Sequence, residues 1–119
     1  MTVNVVKKSD TLEEGIDTLM EAMVDDYAGF MPPVEERRIE MNARFKDGLT
    51  FTVGSKYIKI FSEGGSVSAF VVKTENDKKF KKGDILKPAG YAAPARNGAR
   101  GNVLDGGYPI KWTGPLYMR

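Results

Sequence analysis

The chain contains neither cysteine nor histidine. Without cysteine it cannot form disulfides, thiolate nucleophiles or zinc sites built on sulfur. Without histidine it lacks the usual general base and the most common metal ligand. It also has no apolar run that approaches the roughly 20 residues of a membrane-spanning helix. These absences exclude most familiar active sites and argue against a membrane protein.

The remaining residue types do not form a recognisable catalytic pattern. No serine lies in a nucleophile-elbow motif, and no pair of carboxylates is singled out by its spacing. We therefore predict a protein that is not an enzyme and that needs no cofactor or metal. The apolar run at residues 3–6 is interrupted by Asn4, so we expect no signal peptide and a cytoplasmic location.

Charge is divided unevenly along the chain. Residues 1–48 carry eleven acidic and six basic side chains, whereas residues 49–119 carry five acidic and twelve basic ones, which gives the overall net charge of +2. Such an asymmetry favours a charged partner for the basic half, or docking of one half on the other. At 119 residues the chain is expected to form one domain, residues 1–119.

The acidic half has the pattern of two helices, within residues 11–47. Apolar residues recur at helical spacing from Leu12 to Tyr27, and Thr11 with Glu14 fits a capping box. The two prolines at 32–33 suit the first turn of a second helix over 34–45, which Gly48 would end. The opposite face of the first helix carries Glu13, Asp17, Glu21 and Asp25.

Within residues 49–119 the apolar period changes from 3.6 to 2, which is typical of strands. Alternation predicts strands near 49–53, 57–61 and 66–71, with a tight turn at Gly64–Gly65. A polar loop at 74–82 and a short strand ended by Pro88 follow. Residues 102–104 and 108–112 are expected to pair as a last hairpin, with Pro109 at a sheet edge.

These elements predict an α+β fold. An N-terminal helical pair would pack on a small, strongly bent antiparallel sheet or a partly closed β-barrel, for which an SH3-like or Sm-like arrangement is one analogy. A small sheet has to curl or be covered by helices to bury one face.

The segment 89–101 is rich in small residues and is the candidate contact loop. Glycines allow close backbone approach, arginines bind phosphate oxygens in a forked geometry, and a tyrosine can stack on a base. The alternative is a plain surface crossing, with arginines paired to acids of the helical half and lysines that only aid solubility. The predicted nucleic-acid-binding residues are Tyr91, Arg96, Arg100, Lys79, Lys81, Lys82 and Lys87.

Other candidate sites have simpler interpretations. Asp17, Glu21 and Asp25, with Asp26, could hold a hard cation, but the spacing is that of an exposed helix face. Trp112 and Tyr117 are interpreted as packing residues and not as stacking platforms.

Three further segments carry a resemblance to known proteins. They are residues 80–89 (FKKGDILKPA), 93–97 (APARN) and 99–106 (ARGNVLDG). Over roughly residues 45–112 the chain resembles small uncharacterised proteins of tailed bacteriophages and marine metagenomes. The resemblance implies a virus-encoded protein made in a bacterial host cytoplasm, and it assigns no activity to particular residues.

Three hypotheses about function follow. The first is a non-enzymatic accessory protein that binds nucleic acid through the basic loop. The second is a protein-interaction or assembly module, either a homo-oligomer joined through an open strand edge or the helix pair, or a partner of another phage or host protein. The third is a metal-assisted hydrolase that uses the acidic stripe.

Overall fold

The structure, a computed structural model, describes residues 2–116. Within this range the predicted α+β class is confirmed: two helices pack on antiparallel strands. The strands form two open sheets, so the barrel alternative is not adopted. The elements are β1 (Val3–Val5), α1 (Leu12–Phe30), α2 (Glu36–Gly48), β2 (Thr50–Val53), β3 (Tyr57–Phe61), β4 (Val67–Val72), β5 (Ile85–Leu86), β6 (Tyr108–Lys111) and β7 (Gly114–Pro115).

Helix α1 begins where the sequence predicts, because its first turn is capped. The Glu14 N–H donates to Thr11 Oγ1 at 3.2 Å, and Glu14 Oε2 accepts from the Asp10 N–H at 3.3 Å. The apolar stripe of α1 is fully buried against both sheets, through Ile16, Leu19 and Met23. The capping pair and the apolar period of this stripe are both local signals, so α1 was predictable from the sequence.

Helix α2 starts later than the sequence predicts. Its first residue is Glu36, and Pro32 and Pro33 lie in the extended connection that precedes it. In that connection the Val34 N–H donates to the Pro32 carbonyl at 2.8 Å. The proline-rich connection turns the chain from the end of α1, so these prolines serve the turn and not the first helical turn. Helix α2 ends at Gly48, as predicted.

Strands β2, β3 and β4 confirm the predicted meander and continue into β5, in the order β2-β3-β4-β5. The turn between β3 and β4 is a short 3₁₀ segment, Glu63–Gly65. Gly64 and Gly65 have φ of +84° and +81°, a region that glycine adopts without steric cost. The adjacent glycines therefore make this turn, as the sequence predicted.

The predicted last hairpin is wrong. Residues 102–104 do not pair with β6; instead the Val103 N–H donates to the Gly83 carbonyl at 2.9 Å. Strand β6 pairs with β1 on one side and β7 on the other, in a sheet of order β1-β6-β7. Pro109 therefore lies opposite Asn4 of β1 in a central strand, so its predicted position at a sheet edge is wrong.

The main core lies between α1 and the two sheets. Ile58, Ile60 and Val71 bury one face of the four-stranded sheet under this layer, and Ile110 contributes from the other sheet. A smaller cluster formed by Phe70, Val72, Phe80 and Leu86 lies on the opposite face. Neither described helix is long and apolar enough to cross a membrane.

Candidate nucleic-acid interface

The face of the four-stranded sheet that points away from α1 carries alternating rings and charge. In β3 the side chains of Ile58 and Ile60 point to the core, so those of Tyr57, Lys59 and Phe61 point to the other face. All three are only partly buried. We call this side of the sheet the outer face.

Lys59 lies among three rings on the outer face. Its Nζ is 4.3 Å from the ring centroid of Tyr91, 5.6 Å from that of Phe70 and 5.7 Å from that of Phe61. A cation this close to a ring face is attracted by the ring quadrupole. The loop at 89–101 thus folds back over the sheet, and Tyr91 is held there while 66% exposed.

Arg96, from the same loop, is anchored at the other end of β3. Its Nη1 donates to Tyr57 Oη at 2.6 Å, and its Nη2 donates to Asp77 Oδ1 at 2.8 Å. The guanidinium carbon also lies 4.9 Å from the ring centroid of Phe80. Three contacts fix the side chain, which is still 40% exposed.

Asp77 is the acceptor that organises this end of the sheet. Besides Arg96, its Oδ1 accepts the backbone N–H groups of Lys79 at 2.8 Å and Phe80 at 2.9 Å. The hydrogen bond from Arg96, followed by these backbone donors, holds the pKa of Asp77 well below its ordinary value of 3.8. The carboxylate therefore stays ionised, and it raises the pKa of Arg96 in return.

Two adjoining depressions flank Tyr57 and share Ser55, Lys56 and Tyr57 in their walls. One, of about 500 Å³, also includes Lys78 and Arg96. The other, of about 390 Å³, also includes Lys59 and Phe70. The two depressions adjoin at these shared residues. We call them together the basic groove and define it by Lys56, Tyr57, Lys59, Lys78 and Arg96.

No protein-family model, curated protein or solved structure matches this chain.

The structure brings some of the predicted residues to the basic groove. Tyr91 and Arg96 contact it directly, and Lys79 is beside it because its Nζ donates to the Arg96 carbonyl. Lys56, Tyr57 and Lys59 were not predicted. The signal for Tyr57 and Lys59 was the alternation in β3, where every second residue is aromatic or basic while the intervening isoleucines are buried. Lys56 precedes the strand and had no such signal.

The other predicted residues lie elsewhere. Arg100 Nη1 donates to the Leu116 carbonyl at 2.6 Å and Nη2 donates to Asn97 Oδ1 at 3.0 Å, so this arginine ties the loop to residue 116. Lys81 pairs with Asp105 at 2.7 Å. Lys82 and Lys87 are half-buried outside the groove, and burial, followed by the charges of Arg100 and Lys111, lowers the pKa of Lys87.

The alternative prediction was that the arginines of the loop pair with acids of the helical half. Within the described residues, Arg96 and Arg100 make no such pairs. Arg96 pairs with Asp77, which belongs to the β half, and Arg100 bonds to carbonyl and amide oxygens. The loop is therefore anchored by the sheet that it covers, and the acids of α1 take no part in holding it.

The acidic stripe on α1 is divided by burial. Asp17, Glu21 and Asp25 are exposed, whereas Asp26 is only 1% exposed and its Oδ2 accepts the Trp112 N–H at 2.8 Å. Among residues 2–116 no cluster of three or more acidic side chains is placed to hold a metal ion.

Trp112 packs as predicted, with its ring centroid 5.4 Å from that of Tyr27 and 6.0 Å from that of Phe45. Tyr117 lies outside the described residues.

Proposed function

We propose that this chain is a non-enzymatic accessory protein that binds single-stranded nucleic acid in the basic groove. The observation that carries the proposal is the placement of Lys59 among the rings of Tyr91, Phe61 and Phe70, next to further cations of the groove. Cations that follow a backbone, combined with rings on which bases stack, are the usual means of binding single strands. The phage resemblance favours a bacterial host cytoplasm as the setting.

A single strand fits this surface better than a duplex. Bases of a duplex are already stacked on one another, whereas unpaired bases can turn towards an exposed ring such as that of Tyr91. The groove runs across a sheet face and offers no protruding helix for insertion into a major groove. Phosphate contacts would then be made by lysines at its rim, chiefly Lys56 and Lys78.

The most informative variant removes cations that the fold itself does not use. Within residues 2–116 the amino groups of Lys56 and Lys78 take no part in an ion pair or hydrogen bond, whereas Arg96 and Arg100 both bond to the fold. Replacing the arginines would mix a folding defect with a binding defect. We therefore choose the double variant Lys56→Ala with Lys78→Ala. The matched control is Lys7→Ala with Lys8→Ala, which replaces two exposed lysines that are distant in sequence from the groove residues.

Binding is measured by fluorescence anisotropy with a labelled oligothymidine and with a duplex of equal length, across a salt series. Each phosphate contact contributes about 0.7 to the slope of log affinity against log salt for single strands, so the double variant is expected to lower the slope by about 1.4. The control variant should lower it by much less. No binding of either oligonucleotide at low salt, or equal losses in both variants, would refute the proposal.

A second substitution tests the stacking surface. Loss of one ring–base stack costs about 1–3 kcal/mol, so Tyr91→Ala is expected to weaken single-strand binding roughly 5- to 150-fold. Tyr91→Phe keeps the ring and should bind within about twofold of the parent protein on the same argument. If both variants bind like the parent, Tyr91 is not part of the interface.

A further inference from the structure

Strand β2 is an open edge of the four-stranded sheet. Within the described residues it pairs only with β3, and all four of its side chains are exposed. Two of them are large and apolar: Phe51 is 38% exposed and Val53 is 57% exposed. An uncharged strand with apolar side chains and an unpaired backbone is a template for another strand.

The other sheet edges are each protected. Beside β5, the Ile85 N–H donates to the Gly101 carbonyl and the Arg100 N–H donates to the Ile85 carbonyl, so the loop closes that edge. Strand β7 contains Pro115, which has no N–H to offer. Strand β1 has only three residues and is followed by Lys7 and Lys8. Strand β2 has none of these protections: within the described residues no loop bonds to its open side, and the strand contains no proline and no charge.

The backbone of β2 shows which groups face outwards. The Gly54 N–H donates across the turn to the Tyr57 carbonyl at 2.9 Å. Hydrogen-bonded and non-hydrogen-bonded pairs alternate in an antiparallel ladder. The backbone N–H and C=O groups of Thr52 and Thr50 therefore also point towards β3. The N–H and C=O groups of Phe51 and Val53 therefore point to the open side.

We propose that a second copy of this chain occupies the edge, with the two β2 strands antiparallel about a two-fold axis. With Thr52 opposite Thr52 of the second copy, Phe51 lies opposite Val53 of the second copy, and the reverse pair forms by symmetry. The outward N–H and C=O groups then pair in full. Aromatic and β-branched residues also make favourable cross-strand pairs.

Charge is compatible with self-pairing. Strand β2 carries no charge, so no like charges meet across the axis. The antiparallel arrangement brings the C-terminal end of α2, with exposed Asp47, towards exposed Lys56 of the second copy. The negative end of the helix dipole adds to this attraction. A two-fold axis normal to the sheet also places both basic grooves on the same face of one continuous sheet.

The assembly does not rest on the nucleic-acid proposal, although Lys56 takes part in both, and it is tested without nucleic acid. Light scattering over a concentration series is expected to show a mass rising towards twice the 13.1 kDa of one chain. Val53→Pro removes one outward N–H and leaves the β3 ladder intact, so it should stay monomeric. Val34→Lys, at an exposed apolar residue between the helices, is the control and should assemble like the parent.

A cysteine placed on the axis tests the register, because the chain has no cysteine of its own. Residues opposite each other in a non-hydrogen-bonded pair have Cα atoms about 4.5 Å apart, within disulfide range. Thr52→Cys should therefore form a covalent dimer under mild oxidation. In Thr50→Cys the Cα atoms of the two cysteines would lie about 13 Å apart along the strands, so this variant should not form a covalent dimer.

Three outcomes would overturn the proposal. One is a monomer at every concentration, which would leave the edge to a strand of another protein. Another is a dimer that survives Val53→Pro but is lost in Val34→Lys, which would place the interface at the helix pair. The third is equal crosslinking of both cysteine variants. Should Val53→Pro fail to fold by circular dichroism, Val53→Lys replaces it, since an edge lysine also blocks strand addition.

Discussion

Asn102→Ala is expected to destabilise the fold by about 4 kcal/mol, because this side chain joins two segments that are distant in sequence. Asn102 is 6% exposed. Its Nδ2 donates to the Lys82 carbonyl at 3.0 Å and to Asp84 Oδ1 at 2.9 Å. Its Oδ1 accepts the N–H groups of Leu104 at 2.8 Å and Asp105 at 3.1 Å. Alanine would remove all four hydrogen bonds.

The four bonds do not contribute equally. The bond to the buried Asp84 carboxylate involves a charged acceptor and contributes about 2 kcal/mol, and that to the Lys82 carbonyl contributes about 1 kcal/mol. Water can reach the turn at 104–105, so its two N–H groups together contribute about 1 kcal/mol. For a chain of this length a change of this size lowers the melting temperature by roughly 15 °C.

The assay is thermal unfolding followed by circular dichroism, with urea unfolding at 10 °C if the variant is partly unfolded at room temperature. Asn76→Ala is the matched control, because Asn76 is an exposed loop residue. It should change stability by no more than about 0.5 kcal/mol. If Asn102→Ala also falls within that range, the link between residues 82–84 and 102–105 does not hold the fold together as argued.

Two further predictions concern single polar side chains. The Tyr108 hydroxyl is buried without a hydrogen-bond partner among residues 2–116, and burial raises its pKa. Because Tyr108→Phe removes this unpaired hydroxyl, we expect it to raise the free energy of unfolding by about 1 kcal/mol in urea unfolding. A lower free energy of unfolding would contradict this. Arg96 and two backbone N–H groups lower the pKa of Asp77 below 3.8, so its ionised form stabilises the fold at neutral pH. This contribution is lost as the pH falls below about 4 towards the pKa of Asp77 in the folded state. Asp77→Asn should therefore be less stable than the parent at neutral pH, with a gap that narrows in acid, and a gap independent of pH in thermal melts would refute the linkage.

Elements whose signal is local were predictable from the sequence. Helix α1 carries its cap and its apolar period within about twenty residues, and β2 to β4 show alternation on each strand. Strand β1 was missed because three residues give no period, and its partner, β6, lies near the other end of the described chain. The hairpin error has the same origin, since residues 102–104 find partners at 83–84 instead of beyond the next turn.

The candidate site was predicted only in part, for a related reason. Composition identified the loop with Tyr91 and Arg96, but it does not show where a loop folds back. Lys59 is separated from Tyr91 by more than thirty residues, and only the tertiary fold reveals that they meet. Arg100 is an arginine of the same loop as Arg96, yet it donates a hydrogen bond to the Leu116 carbonyl and so stabilises the fold.

The pairing of β1 with β6 has a consequence for synthesis on the ribosome. The segment Val3–Val5 is made long before its partner strand, Tyr108–Lys111. Helix α1 and strands β2 to β4 can associate while translation continues, yet Val5 and the α1 surface that β6 covers stay unshielded until residue 110 has left the exit tunnel. The β1–β6 pair is therefore the last of the described strand pairs that can form, and a nascent chain stalled before residue 108 is expected to be the aggregation-prone form.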